Sequence, residues 1–283
     1  MSIDQLPGPK AILVAALGTS FPEVRQAAID KICQRISQRF PDWEVRLAFT
    51  SEIIIRKIRE RDGEVVDNPQ QALERLNREG FRDVAIQPLH VVPGWEWKKV
   101  LRAVRQQRHQ FARVALGRPL LFFSRGEQTP DDYRVAVEAL SAQLPRLEED
   151  QGVLLMAHGS SDPANASYPL LERILHESGF PNVLLASVEG YPELADVLPV
   201  LKRRRLRELT LMPFMVVAGD HVRNDMAGEG EDSWINQLER EGYRVKVYLK
   251  GLGENEKVQE IYVRHLEEAV AGAYDRFLSL DLE

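Results

Sequence analysis

Cysteine is nearly absent: Cys33 is the only one in 283 residues. That excludes an internal disulfide framework and any zinc site built from several thiolates. Long apolar runs are missing too. The run 11–17 has seven residues, too few for a signal core or a membrane span, and MSIDQLPGPK shows no basic stretch leading into an apolar one. A cytoplasmic protein with no membrane partner is the expectation. Basic excess is also lacking, since 37 Lys and Arg face 43 Asp and Glu, a net charge of −6. General nucleic-acid binders are usually basic, so no nucleic-acid partner is expected. A local basic patch for an anionic small molecule stays compatible with that balance.

What is present is globular. Hydrophobic residues at 44% and charged residues at 28% exclude a disordered chain. A chain of this length buries about 75% of its unfolded surface and forms roughly two domains, or one large one. Short apolar runs at 11–17, 45–49, 84–89, 114–116, 153–157, 183–186, 208–212 and 245–248 read as strands. Amphipathic stretches at 23–39, 69–79, 95–108, 131–146, 166–178, 192–204, 231–241 and 254–277 read as helices. The alternation implies βαβ units and an α/β fold with mostly parallel sheets flanked by helices. Cys33 shares a helical pattern with Ile29, Ile32 and Ile36 and is expected to be a small buried hydrophobe.

Three segments recur in order. Leu17-Gly18-Thr19-Ser20-Phe21-Pro22 matches His158-Gly159-Ser160-Ser161-Asp162-Pro163 at an offset of 141. Ala48-Phe49-Thr50-Ser51 matches Ala186-Ser187-Val188-Glu189 at 138, and the nine residues from Pro88 to Glu96 match those from Pro213 to His221 at 125. Two pseudo-symmetric halves of four βα units each, 1–127 and 128–283, account for this order. Each match falls where a strand ends, and open α/β sheets bind ligands at those ends. Two facing halves would enclose a cleft.

The informative residues break the repeat. The second half has His158 where the first has Leu17, Glu189 where it has Ser51, and His221 where it has Glu96. Two imidazoles and a carboxylate suit Co²⁺, Fe²⁺, Ni²⁺ or Zn²⁺. Three ligands leave open coordination positions, as a metal that must depart requires. Their spacings of 31 and 32 residues match no short metal motif, and each His alone reads more often as a loop or capping residue, whereas the three together at strand ends bring the site reading level with it. Gly18-Thr19-Ser20 and Gly159-Ser160-Ser161 read either as anion-binding turns or as ordinary N-caps. Lys202-Arg203-Arg204-Arg205 reads as a solvated helix end. Trp95 and Trp97, flanking Glu96, read as stacking surface or as core. His90 reads as a second ligand or, preferably, a buried hydrogen-bonded side chain. His109, His176 and His265 carry no signal.

These segments resemble a known family. Ala16-Leu17-Gly18-Thr19-Ser20, Ala48-Phe49-Thr50-Ser51, Leu89-His90-Val91-Val92-Pro93-Gly94-x-Glu96, Met156-Ala157-His158-Gly159 and Gly219-Asp220-His221-x-x-Asn224-Asp225-Met226-Ala227-Gly228 are similar to the anaerobic sirohydrochlorin cobaltochelatases of the CbiK type, within the class II chelatases. The similarity runs from about residue 10 to 275. It implies two Rossmann-like halves. It also implies insertion of Co²⁺ into sirohydrochlorin, with release of two protons, on the anaerobic route to cobalamin. His158, Glu189 and His221 would then hold the metal. His158, His221 and Glu96 are candidates to take the pyrrole protons. Thr19, Ser20, Ser160, Ser161 and Arg223 are candidates to meet the substrate's eight carboxylates. Cobalt is expected as substrate metal, with Fe²⁺, Ni²⁺ or Zn²⁺ as further ions in vitro, and no organic cofactor. Some relatives are exported and carry an extra haem-binding His, which keeps a haem contact open for His90. Three other readings stay open: insertion of Fe²⁺ to make sirohaem, a non-catalytic tetrapyrrole or metal carrier, and a two-domain binding protein. Assembly into a homo-oligomer is equally compatible.

Overall fold

The apolar runs become strands because their residues are covered on both faces. In a computed structural model, which describes residues 8–274, Ile12, Leu13, Val14 and Ala15 of β1 (Lys10–Ala16) are fully buried. The equivalent stretch of β5 (Gln151–Gly159), from Val153 to Ala157, is equally inaccessible. Such double burial belongs to parallel sheets with helices on both sides. Each sheet has four strands, parallel at every pairing. The first runs β2 (Glu44–Phe49), β1, β3 (Asp83–Pro88), β4 (Arg113–Leu116). The second repeats that order as β6 (Val183–Glu189), β5, β7 (Glu208–Phe214), β8 (Arg244–Val247). The repeat seen in the sequence is therefore a repeat of topology.

Helices α1 (Pro22–Ala27), α2 (Ile29–Arg39), α3 (Glu52–Asp62), α4 (Pro69–Arg78), α5 (Trp95–Gln107) and α6 (Asp132–Ser141) alternate with the strands. They are followed by α7 (Ser167–Glu177), α8 (Leu194–Arg203), α9 (Trp234–Arg240) and α10 (Glu256–Val270). Four features depart from expectation. The stretch 23–39 is two helices, broken at Ala28, where ψ is −72° and no breaker residue stands. Helix α3 was not expected, because Ile53-Ile54-Ile55 hides the helical period. Its caps are nevertheless local, with Ser51 accepting from the Ile54 N–H and Gly63 in the left-handed region. Helix α6 stops at Ser141 rather than 146, since the helix cannot continue into Pro145. Cys33 is half-buried rather than buried, because it flanks the Ile29, Ile32, Ile36 stripe that meets the core. The helix expected over 254–277 ends at Val270 as α10, and positions 275–277, like residues 1–7, lie outside the described residues.

Compactness divides the chain differently from one cut near residue 127. The first unit holds 8–20, 29–122 and 259–274 of the described residues, and the second holds 21–28 and 123–258. Most of α10 therefore belongs with the first sheet. Its Tyr262 hydroxyl donates to the His90 carbonyl at 3.3 Å, and Glu268 pairs with the buried Arg118 at 2.5 Å. In the first unit, α4 and α5 cover one sheet face through Leu73, Leu76, Val100 and Val104. In the second, Leu154, Leu184, Leu211, Leu201 and Trp234 form one core. No helix among the described residues is long and apolar enough to cross a membrane.

Candidate metal centre

In the second unit, β6, β5 and β7 are neighbours, and each delivers one polar residue at or after its carboxyl end. His158 is where β5 leaves the core, after five inaccessible residues. Glu189 is the exposed last residue of β6. His221 follows the loop after β7 and opens a π-turn, Val222–Met226. Adjacent strands lie ~4.8 Å apart, so three strand ends can converge on one point. They do: one donor atom from each of His158, Glu189 and His221 lies within 4.8 Å of the others. Two donors on one ion at ~2.1 Å stand at most ~4.2 Å apart. A small adjustment closes the set, and exposed Glu189 is free to make it.

Backbone detail explains the convergence. Gly159 pairs in register with Glu189 and has φ +77°. A Cβ there would lie 1.6 Å from the Glu189 carbonyl oxygen. Only glycine allows β5 and β6 to approach so closely at that level. The following loops are also tied together: the Ser160 N–H donates to Asn165 Oδ1 at 3.0 Å, and Asn165 Nδ2 donates to the Tyr191 carbonyl at 2.5 Å.

The imidazoles are oriented through Nδ1. His158 Nδ1 lies 3.1 Å from the Gly159 carbonyl, and His221 Nδ1 lies 2.6 Å from Asp225 Oδ2. Both oxygens accept, so in a neutral ring the hydrogen sits on Nδ1 and the lone pair on Nε2. The rings stand at 89° with centroids 4.9 Å apart, edge to face rather than stacked. Asn165 did not emerge from the sequence, and Gly159 and Asp225 stood there within motifs without these roles. For Asp225 the signal was available, a carboxylate four residues after a histidine.

Other candidates take varied positions. Thr19 is buried and Ser20 half-buried, both in the first unit. Ser160 accepts the Asp162 N–H on its hydroxyl at 3.0 Å, and Ser161 is exposed. Exposed Arg223 lies 4.0 Å over the Phe21 ring and donates to Glu23 at 2.6 Å. The two tryptophans divide the alternatives: Trp95 is exposed, whereas Trp97 is buried 5.6 Å from Phe122. The 202–205 run is mostly exposed, and Lys202 pairs with Glu241.

Glu96 lies in the first turn of α5, in the first unit. Its Oε1 meets Lys99 Nζ at 2.6 Å, and its Oε2 is buried without a hydrogen-bond partner. Lys99 also donates to the Thr50 carbonyl at 3.1 Å, and Thr50 Oγ1 lies 3.3 Å from His90 Nε2. His90 is thus a buried, hydrogen-bonded side chain. Burial, with the Lys99 ammonium adding to it, pushes its pKa down to about 3. The unfolded chain protonates histidine near ~6.5. Between those values the unfolded state binds the extra proton, so stability present above ~6.5 is lost as pH falls toward 3. A His90→Gln variant should therefore show a flatter loss of melting temperature on acidification. Equal slopes in both proteins would clear His90 of that role.

Comparison with known proteins agrees with the fold and identifies the family. The sequence matches the cobalt chelatase (CbiK) family over residues 10–271. It is 38% identical over 261 residues to a sirohydrochlorin cobaltochelatase of Salmonella typhimurium, covering 92% of this chain and 96% of that one. It is 32% identical over 269 residues to the sirohydrochlorin cobaltochelatase CbiKC of Nitratidesulfovibrio vulgaris, covering 94% and 92%. The solved structure of SirB from Bacillus subtilis with Fe³⁺ shares the fold, with a TM-score of 0.62 at 16% identity, covering 95% of this chain and 98% of that one. A family match spanning nearly all the described residues, with two relatives above 30% identity over more than nine-tenths of the chain, places this protein in the CbiK family of cobalt chelatases.

Proposed function

We propose that this chain inserts Co²⁺ into sirohydrochlorin, with His158, Glu189 and His221 holding the incoming ion. The observation that carries the reading is the donor set at three adjacent strand ends, with Nδ1 of each ring already facing an oxygen. Borderline imidazole donors hold a divalent ion while allowing it to exchange. Three protein ligands leave coordination positions for the macrocycle nitrogens. As the ion passes to the macrocycle, two pyrrole N–H bonds break and two protons must be accepted. The lone pairs vacated on His158 and His221 are two acceptors, and Glu96 is a third candidate. Ser160, Ser161, Arg223, Thr19 and Ser20 are proposed to meet substrate carboxylates. Arg223 is the best suited, as a guanidinium already paired with a carboxylate. Fe²⁺, Ni²⁺ and Zn²⁺ fit the same donors, and a cytoplasmic setting suits a chain with one cysteine.

The test is anaerobic absorbance spectroscopy of sirohydrochlorin with excess Co²⁺, Fe²⁺, Ni²⁺ or Zn²⁺ at catalytic protein concentration. Many equivalents of cobalt product per protein are expected, faster than iron product. A single equivalent would identify a carrier, and faster iron insertion a ferrochelatase.

Glu96 separates two roles in one variant. If it accepts a proton, Glu96→Gln lowers kcat by about 10²-fold with little change in KM. If it only favours the positive end of α5, the variant loses ~0.3–1 kcal/mol of stability and keeps its turnover. We expect the first result.

A further inference from the structure

The two imidazoles are held differently, and the difference has a consequence for metal transfer. His158 Nδ1 faces a neutral carbonyl at 3.1 Å, whereas His221 Nδ1 faces a carboxylate at 2.6 Å. A hydrogen bond to an ionised acceptor is about twice as strong as a neutral one and pushes electron density toward the far ring nitrogen. We propose that Asp225 is a positioning residue that makes His221 the stronger donor, the anchor of the ion, with His158 the ligand that yields more easily. This rests on the metal-holding reading above.

Local structure supports a built pair rather than a chance surface contact. The chain between His221 and Asp225 is a π-turn, with the Ala227 N–H donating to the Val222 carbonyl at 3.1 Å. Gly228 closes it, since a Cβ there would lie 2.3 Å from the Asn224 carbonyl oxygen. Both side chains are partly exposed, at 33% for His221 and 46% for Asp225. An exposed pair of this spacing stabilises a fold very little. Stability therefore gives no account of the arrangement, whereas orientation of a ligand does.

The test is titration with Co²⁺ alone, read by visible absorption, with circular dichroism confirming the fold of each variant. Asp225→Ala should weaken affinity about 10–100-fold, the usual effect of removing a carboxylate behind a ligand histidine. Asp225→Asn keeps an acceptor without the charge and should fall between Ala and the native protein. His221→Ala should weaken affinity more than His158→Ala. In the His221→Ala background, adding Asp225→Ala should change affinity by less than about twofold, because its effect passes through the missing ring. Native-like affinity in Asp225→Ala would overturn the proposal while leaving the metal site intact. So would the same loss with and without His221, which would make Asp225 a direct ligand or a diffuse charge. Native-like affinity in His221→Ala would overturn the metal-holding reading itself, and this inference with it.

Discussion

Replacing either His158 or His221 with Ala should abolish cobalt insertion while the protein stays folded. Each ring supplies one of three donors, and the remaining pair holds the ion too weakly to present it to the macrocycle. Neither ring is buried in the core: both are half-exposed at the carboxyl end of the second sheet. Substitutions at such positions ordinarily change stability by no more than ~0.5 kcal/mol. Lost turnover with an unchanged dichroism spectrum and melting temperature is thus the expected pair of results. Turnover at the native rate in either variant would remove that residue from the mechanism. Glu189→Gln keeps shape and loses charge, so it should weaken metal affinity without eliminating it. An unchanged titration would reject Glu189 as a ligand.

Gly159→Ala should be the most damaging single-methyl change in the second unit. Two penalties combine. The residue has φ +77°, where a side chain costs on the order of 1–3 kcal/mol of strain. The new methyl would also fall 1.6 Å from the Glu189 carbonyl oxygen, a contact that forces β5 and β6 apart. Separation there moves His158 away from Glu189, so metal affinity should fall together with stability. Gly179 provides the control. It lies in the same unit at φ +92°, yet a Cβ there would meet nothing within 4 Å. Gly179→Ala carries the backbone penalty alone and should retain full metal affinity. A Gly159→Ala variant that melts like Gly179→Ala and binds Co²⁺ like the native protein would disprove the close-approach argument.

The eight strands were legible because apolar runs buried on both faces have a plain sequence signature. The metal donors were legible for a different reason. A repeat makes its own exceptions visible, and His158, Glu189 and His221 stood where their counterparts are Leu17, Ser51 and Glu96. What the sequence hid was tertiary. No residue at Ala28 announces a helix break, and nothing local tells α10 to join the first sheet or 21–28 the second unit. Helix α3 was hidden by three consecutive isoleucines, although its Ser51 cap and Gly63 stop were in view. The role of Gly159 appears only once Glu189 is beside it.

The central claim, that His158, Glu189 and His221 hold the cobalt ion, is tested most directly by X-ray absorption at the cobalt edge on the Co²⁺-loaded protein. The account predicts two imidazole nitrogens at ~2.0–2.1 Å and a carboxylate oxygen at ~2.0–2.2 Å, with solvent completing the sphere. It further predicts that one imidazole disappears from the signal in His158→Ala and one in His221→Ala. A cobalt sphere of oxygen alone, or an imidazole signal unchanged in both variants, would contradict it.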